Sequence, residues 1–214
     1  MKKPNGVELG YNCEQYSNDL NLCSDLSDIT PLVACFGGSA VQEKEPYIED
    51  AKVLAQRLAE AGISIITGGG SGIMDASNNG AYLVNPNKSY GLRVKTIRDE
   101  VDAETKSIDT NRIKDYNTLS IRLLALISYS DAIVFFPGGF GTLDEMFSLL
   151  VRIRVGMMKR IPIYFYGERF WTGLKQWMMA EVLNIGAINK EDLELFKIED
   201  DVYEIAQKII DELC

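Results

Sequence analysis

Short apolar runs alternate with longer stretches of helical spacing along most of the chain. The runs 32–36 and 132–136 are continuously apolar, which is typical of strands buried on both faces. In the segments between such runs, apolar side chains recur every three or four residues, which indicates amphipathic helices. The predicted strands are 32–36, 63–67, 90–94, 132–136, 161–166 and 195–198, and the predicted helices are 48–61, 73–83, 118–128, 143–155, 170–183 and 202–213. Strands and helices in this order predict an α/β protein built from parallel βαβ units.

Two segments depart from this alternation. Residues 1–30 are rich in Asn, Asp and Ser and lack a sustained period, so we expect a loosely structured N-terminal arm with one helical turn around 14–20. The remainder, 31–214, is predicted to form a single domain. Residues 95–115 are charged and irregular, which predicts a long loop with one short strand, and loops of this length often carry function.

Two glycine-rich segments follow predicted strands, at 68–72 and 138–141. Ligands of open parallel sheets bind at the carboxyl ends of the strands. A glycine loop that opens a helix there exposes backbone N–H groups and suits phosphate, although the glycines could instead only make tight turns. Two such loops in one sheet favour phosphate binding over a purely structural role of the glycines. Neither loop completes G-x-G-x-x-G, because Ile73 and Asp144 stand where the third glycine belongs, and no P-loop motif is present.

Charged residues near the second loop are candidates for chemistry. Asp144 and Glu145 are expected in the first turn of the helix, where they could complement the helix dipole or act on a bound sugar phosphate. Arg122 lies among apolar residues of another predicted helix. That setting by itself favours an interface or snorkelling arginine over one that clamps a phosphate or carboxylate.

Composition narrows the chemistry further. Among 214 residues there is no histidine, which excludes Ser-His-Asp and Cys-His catalysis and any zinc site with a histidine ligand. The net charge of −9 disfavours binding to polymeric nucleic acid. Four cysteines without a CxxC pair are expected to be reduced thiols of a cytoplasmic protein. We expect neither a signal peptide nor a membrane span, since no apolar run is long enough.

Together these motifs resemble the Lonely Guy family of nucleoside-5′-monophosphate phosphoribohydrolases, long labelled possible lysine decarboxylases. The resemblance rests on 66–76, Arg122, 130–132 and 137–145, which contains a complete P-G-G-x-G-T-x-x-E motif, and it extends from about Val33 to Ile210. It implies a Rossmann-like fold, an open and mostly parallel sheet with helices on both faces. It also implies a homodimer or higher homo-oligomer and a nucleotide-binding catalytic domain that needs no cofactor or metal.

The implied reaction is hydrolysis of the N-glycosidic bond of a nucleotide such as AMP or a cytokinin riboside monophosphate. Position in the motifs implies that Glu145 and Arg122 are the catalytic residues. The implied substrate-binding residues are Gly69, Gly70, Gly72, Met74, Asp75, Gly138, Gly139, Gly141, Thr142 and Asp144. Decarboxylation is disfavoured, since no glycine loop carries the lysine that pyridoxal chemistry needs.

One departure and two alternatives stay open. The family usually places a lysine after the arginine, and this chain has Leu123. The first alternative is a non-catalytic carrier of a phosphate-bearing ligand such as a nucleotide or molybdenum cofactor. The second is a nucleotide sensor in which Asp144 and Glu145 serve only as helix-capping charges.

Overall fold

The computed structural model describes residues 13–41, 46–94 and 113–214. The strands are β1 (Leu32–Phe36), β2 (Ser64–Thr67), β3 (Ser89–Val94), β4 (Ile113–Tyr116), β5 (Ala132–Phe135), β6 (Ile163–Tyr166) and β7 (Lys197–Glu199). The helices are α1 (Cys13–Ser24), α2 (Pro46–Glu60), α3 (Ile73–Val84), α4 (Leu119–Ser128), α5 (Phe140–Arg154), α6 (Glu168–Trp177) and α7 (Val202–Leu213). A π-helical segment, Met178–Leu183, extends α6, and short 3-10 segments occur at Pro86–Lys88 and Lys190–Glu194.

The seven strands form one sheet in the order β4-β3-β2-β1-β5-β6-β7. Every pairing among the described strands is parallel; Val33 lies opposite Ile65 on one side and opposite Ala132 on the other. The strand order reverses between β1 and β5, and ligands of open parallel sheets bind in the crevice at the carboxyl edge of such a reversal. The predicted α/β fold with a parallel sheet is therefore confirmed.

Helices cover both faces of the sheet. Along β1, Leu32, Ala34 and Phe36 point into one apolar cluster, and Val33 and Cys35 point into another. The first cluster contains side chains of α1, α4, α5 and α6, and the second contains side chains of α2, α3 and α7. Burial on both faces explains why the strands read as continuous apolar runs. The expectation of helices on both faces of a single-domain sheet is confirmed.

The N-terminal segment differs from its expectation. Instead of a single turn in a loose arm, Cys13–Ser24 forms a helix of 12 residues. Cys23 and Leu26 are buried in the cluster below α4, because the helix docks on the sheet face. Residues 1–12 of the expected arm lie outside the described residues, and so does 95–112 of the expected loop. The short strand expected in that loop is β4, at the edge of the sheet.

No helix in the described part of the chain is both long and apolar enough to cross a bilayer.

Candidate active site

The helix α5 begins earlier than its sequence suggests. Its N-cap is Gly139, so Gly141 and Thr142 lie in the first turn and Asp144 and Glu145 lie in the second. The expectation that both carboxylates occupy the first turn is wrong, which removes the main reason to regard Glu145 as a dipole-complementing charge. The N–H of Leu143 makes a 3.0 Å bond to the carbonyl of Gly139, and the amides before it point out of the helix end.

The space in front of this helix end is open. A Cβ added at Gly139 or at Gly141 would meet no atom within 4 Å among the described residues. Gly138 is different, since a Cβ there would overlap the side chain of Thr142, which is 4% exposed. The first turn of α5 therefore leaves its backbone amides accessible to an anion, and the absence of a Cβ at Gly138 makes room for Thr142.

The loops after β1, β2 and β5 interlock at the carboxyl edge of the sheet. The N–H of Gly38 donates to the carbonyl of Pro137 at 3.0 Å, and the N–H of Ile73 donates to the carbonyl of Gly38 at 3.3 Å. Gly72 has a φ of 67°, and a Cβ there would overlap the Gly38 carbonyl oxygen. The glycines of three loops thus allow three backbones to meet at one point.

A buried ion pair lies below these loops. Nη1 of Arg122, on α4, is 3.3 Å from Oε1 of Glu145, on α5, and the two side chains are 9% and 14% exposed. Nε of Arg122 donates to the carbonyl of Leu92, at 2.9 Å. A Cβ at Gly68 would overlap the guanidinium, so the first glycine after β2 makes room for it. The structure contradicts the snorkelling interpretation of Arg122, because its charge is paired inside the protein.

Burial controls the electrostatics of this pair. It raises the pKa of Glu145 from 4.5 to about 7; the charge of Arg122 acts in the opposite direction, and Asp144 adds to the rise. Burial also lowers the pKa of Arg122, which Glu145 opposes, and a guanidinium nevertheless stays protonated near neutral pH. Burial thus moves the pKa of Glu145 toward the range in which general acids and bases work near neutral pH.

The other predicted residues lie around the first glycine loop. The sulfur of Met74 is 2.9 Å from the position of a Cβ at Gly68, which places Met74 next to Arg122. Gly69 has a φ of 67°, and Asp75 lies in the first turn of α3. Leu123 is 7% exposed and packs into the apolar cluster of its sheet face. The structure thus gathers the predicted glycines, Met74, Arg122 and Glu145 at one edge.

Sequence reasoning missed the groups that support these residues. The hydroxyl of Thr67 accepts from the N–H of Gly69, at 3.0 Å, and lies within hydrogen-bond distance of the buried Asn78. Asn78 in turn donates to the carbonyl of Tyr90, at 2.9 Å, which ties the loop to β3. The signal available in the sequence was a polar residue within an otherwise apolar segment: Thr67 at the end of β2 and Asn78 in the middle of α3. Within the described ranges, no group of three or more His, Cys, Asp and Glu residues is arranged to hold a metal ion.

A doubly wound parallel sheet whose glycine loops meet at its reversal point defines the chain as a Rossmann-like α/β protein. The family model described as "Possible lysine decarboxylase" matches residues 74–209, well over half of the chain. The chain belongs to this family, which is the Lonely Guy family.

Relatives with assigned names are moderately similar. A probable cytokinin riboside 5′-monophosphate phosphoribohydrolase of Oryza sativa subsp. japonica is 29% identical over 57% of this chain and 56% of its own length. A pyrimidine/purine nucleotide 5′-monophosphate nucleosidase of Escherichia coli is 30% identical over 56% of this chain and 26% of its own length. The chain spans about half the length of several curated relatives, with 39%, 56% and 52% in three cases.

Solved structures agree with the fold. The molybdenum cofactor binding protein from the phototrophic bacterium Rippkaea orientalis superimposes with a TM-score of 0.58, at 18% identity, over 86% of this chain and 98% of the other. At that identity the similarity concerns the arrangement of strands and helices.

Proposed function

We propose that the protein hydrolyses the N-glycosidic bond of a nucleoside 5′-monophosphate, giving the free base and ribose 5-phosphate. The observation that carries this proposal is the buried Arg122–Glu145 pair beside an open helix N-terminus. The names of the relatives support the same class of reaction, since they describe phosphoribohydrolases and nucleosidases of nucleotide monophosphates.

The phosphate would bind at the N-terminus of α5. Backbone amides of this turn face a space that no described residue fills at Gly139 or Gly141, and Gly138 makes room for the buried Thr142 side chain behind that turn. The ribose and base would then extend along the crevice. We propose that Gly69, Gly70, Gly72, Met74, Asp75 and Asp144 line the rest of the substrate site.

Hydrolysis needs a group that stabilises the positive charge that develops on the sugar as the glycosidic bond breaks. The bond between C1′ and the base nitrogen breaks with its electron pair going to the base, and the oxygen of a water molecule bonds to C1′. Ionised Glu145 would stabilise the oxocarbenium-like ribosyl centre or accept a proton of that water; the departing base takes up the proton that balances its charge. Arg122 would hold the carboxylate in position.

The direct test incubates the protein with a panel of purine and pyrimidine nucleoside monophosphates, cytokinin riboside monophosphates included. Base release is followed by chromatography. We expect release by the wild type and a fall in rate of roughly 10²- to 10⁴-fold in Glu145→Gln, which keeps the shape and removes the charge. Glu60→Gln, at the exposed far end of α2, is the matched control and should match the wild type.

Two outcomes would contradict the proposal. Release that survives Glu145→Gln at full rate would remove Glu145 from the mechanism. Tight binding of nucleotide without release of any base would instead support the carrier or sensor alternative.

We also propose that the protein assembles with further copies of itself. The outer side of α5 carries apolar side chains at four-residue spacing, Phe147, Val151 and Val155, which are 40%, 54% and 59% exposed in the single chain.

A further inference from the structure

A carboxylate of the N-terminal helix is buried against the start of the helix that carries Arg122. Asp19 of α1 has 0% exposure. Its two oxygens accept from the N–H of Asn117 at 3.0 and 3.1 Å and from the Asn117 amide group at 2.9 Å. They also accept from the N–H and the hydroxyl of Thr118, both at 2.8 Å. Among the described residues, every donor to Asp19 comes from the two residues that precede α4.

Asp19 binds the N-cap residue of α4 and the residue before it. Thr118 is the N-cap of α4, yet its side chain makes no capping bond within the helix, because its hydroxyl donates to Asp19. A carboxylate is well suited to this place, since it makes charge-assisted bonds to backbone N–H groups and complements the positive helix end. A residue 99 positions away in sequence therefore fixes where α4 begins.

The capped turn leads directly to Arg122. The N–H of Arg122 donates to the carbonyl of Thr118 at 3.2 Å, so the arginine sits one helical turn beyond the residue that Asp19 holds. Its guanidinium is then held by the carbonyl of Leu92 and by Glu145. A continuous series of hydrogen bonds thus joins Asp19, through Thr118 and Arg122, to Glu145.

Further contacts fix α1 to the same edge of the sheet. Cys23 and Leu26 are buried in the apolar cluster, and the Cys23 sulfur lies 3.9 Å from the Tyr116 hydroxyl of β4. Asp25 pairs with Lys114 at 2.9 Å. This helix precedes residues 74–209, the part that the family model matches. It therefore lies outside the matched part of the chain and docks beside the helix that carries Arg122.

We propose that Asp19 is a positioning residue, through which the N-terminal helix holds Arg122 against Glu145. The kinetic part of this proposal rests on the proposed hydrolase function; the structural part does not. In the structure Asp19 contacts Asn117 and Thr118, which lie outside the candidate phosphate site. Its removal is therefore expected to affect turnover and to leave nucleotide binding largely unchanged.

The test compares three variants of the full chain. Asp19→Asn keeps the volume and loses the charge and acceptor capacity, Asn117→Ala removes one side-chain donor and is the milder change, and Asp25→Asn breaks only the exposed pair with Lys114. Hydrogen exchange of the backbone amides at 117–122, KM and kcat are measured for each, together with the thermal midpoint.

We expect amide exchange at 117–122 to accelerate at least about tenfold in Asp19→Asn and less in Asn117→Ala, because a buried cap is lost. kcat should fall by roughly 10- to 100-fold in Asp19→Asn, with KM changed less than about twofold, since a displaced arginine disturbs the chemistry. Asp25→Asn should match the wild type in all four measurements.

The outcomes separate the two proposals. If the wild type releases no base, the hydrolase proposal fails, and the exchange rates alone decide the role of Asp19. Unchanged exchange at 117–122 in Asp19→Asn would overturn the positioning role. A rise of KM by roughly 10- to 100-fold with unaltered kcat would overturn it as well. If Asp19→Asn does not fold, Asn117→Ala decides: wild-type exchange and kcat in that variant would overturn the proposal.

Discussion

Arg122 has room for its guanidinium because residue 68 lacks a side chain. A Cβ at Gly68 would overlap Nη2 of Arg122 and would lie 2.9 Å from the Met74 sulfur. A change to alanine must therefore push the arginine away from Leu92 and Glu145, on both of which its position depends. The glycine is a spacer for the charged pair.

We predict that Gly68→Ala lowers the rate of base release at least about tenfold, because misplacement of a positioned group by about 1 Å is that costly. Overpacking should also lower the free energy of unfolding by about 1–3 kcal/mol. Urea unfolding and the chromatographic assay measure the two effects. Gly173→Ala, in α6, is the control. No described atom lies within 4 Å of a Cβ at this position, so activity should persist.

An active Gly68→Ala variant with wild-type stability would mean that Arg122 has a second acceptable position.

Sequence patterns identified the charged residues of the site better than the groups around them. Glu145 belongs to a recognisable motif, whereas the role of Arg122 was implied only by the family resemblance; the structure pairs the two. Neither the Leu92 carbonyl nor Asp19 could be predicted as their support, since a contact between segments 30 or 99 residues apart leaves no local pattern. Whether these residues carry out catalysis stays a prediction.

At the scale of elements, the beginning of α5 was predicted three residues too late. Glycine at 139 and 141 and threonine at 142 have low helix propensity, which suggests a loop. At a helix N-terminus that penalty matters less, because the first amides are unpaired and can face a ligand. α1 was largely missed for a different reason: the buried positions 19 and 23, with 26 just after the helix, have helical spacing but include an aspartate.

The outer face of α5 provides a test of self-association. We predict that the wild type has at least the mass of a dimer in solution and that Val151→Lys reduces this mass to that of a monomer, because a charge would be buried at the contact. Light scattering after gel filtration measures the mass. Val84→Lys, on α3 at the opposite face of the sheet, is the matched control.

A monomeric wild type would contradict this prediction directly, and an unchanged mass in Val151→Lys would move the contact to another face.

For the whole molecule, the raised pKa of Glu145 couples folding to pH. The carboxyl has a pKa of 4.5 when unfolded and about 7 when buried, so the native state binds the proton more tightly. Below pH 4.5 both states are protonated and Glu145 imposes no penalty. As the pH rises through about 7, stability is lost, by about 3 kcal/mol for this group.

We predict that Glu145→Gln escapes this loss. The free energy of unfolding of the variant minus that of the wild type should grow by about 3 kcal/mol between pH 4.5 and 8, measured by urea denaturation at several pH values. Taking the difference cancels the titration of the other carboxylates. A difference that is constant with pH would show that Glu145 ionises in the native state as it does in the unfolded chain.

The α/β class and the parallel sheet could be predicted because burial on both faces imposes continuous apolar strands. The point at which the strand order reverses could not be predicted. The segments 32–36 and 132–136 have similar apolar sequences, and no local pattern indicates which strands become neighbours. It is that long-range pairing which brings the loop after β1 to the loop after β5.

The meeting of the three glycine loops also bears on how the protein could change over evolutionary time. At Gly38, Gly72 and Gly138 the loops pack so closely that a Cβ at any of them would lie within 3 Å of another atom. A substitution at any of the three would therefore displace a neighbouring loop or side chain, so we expect this floor to tolerate few changes. We expect differences in base preference to arise instead at surrounding positions, where a side chain can be replaced without moving these backbones.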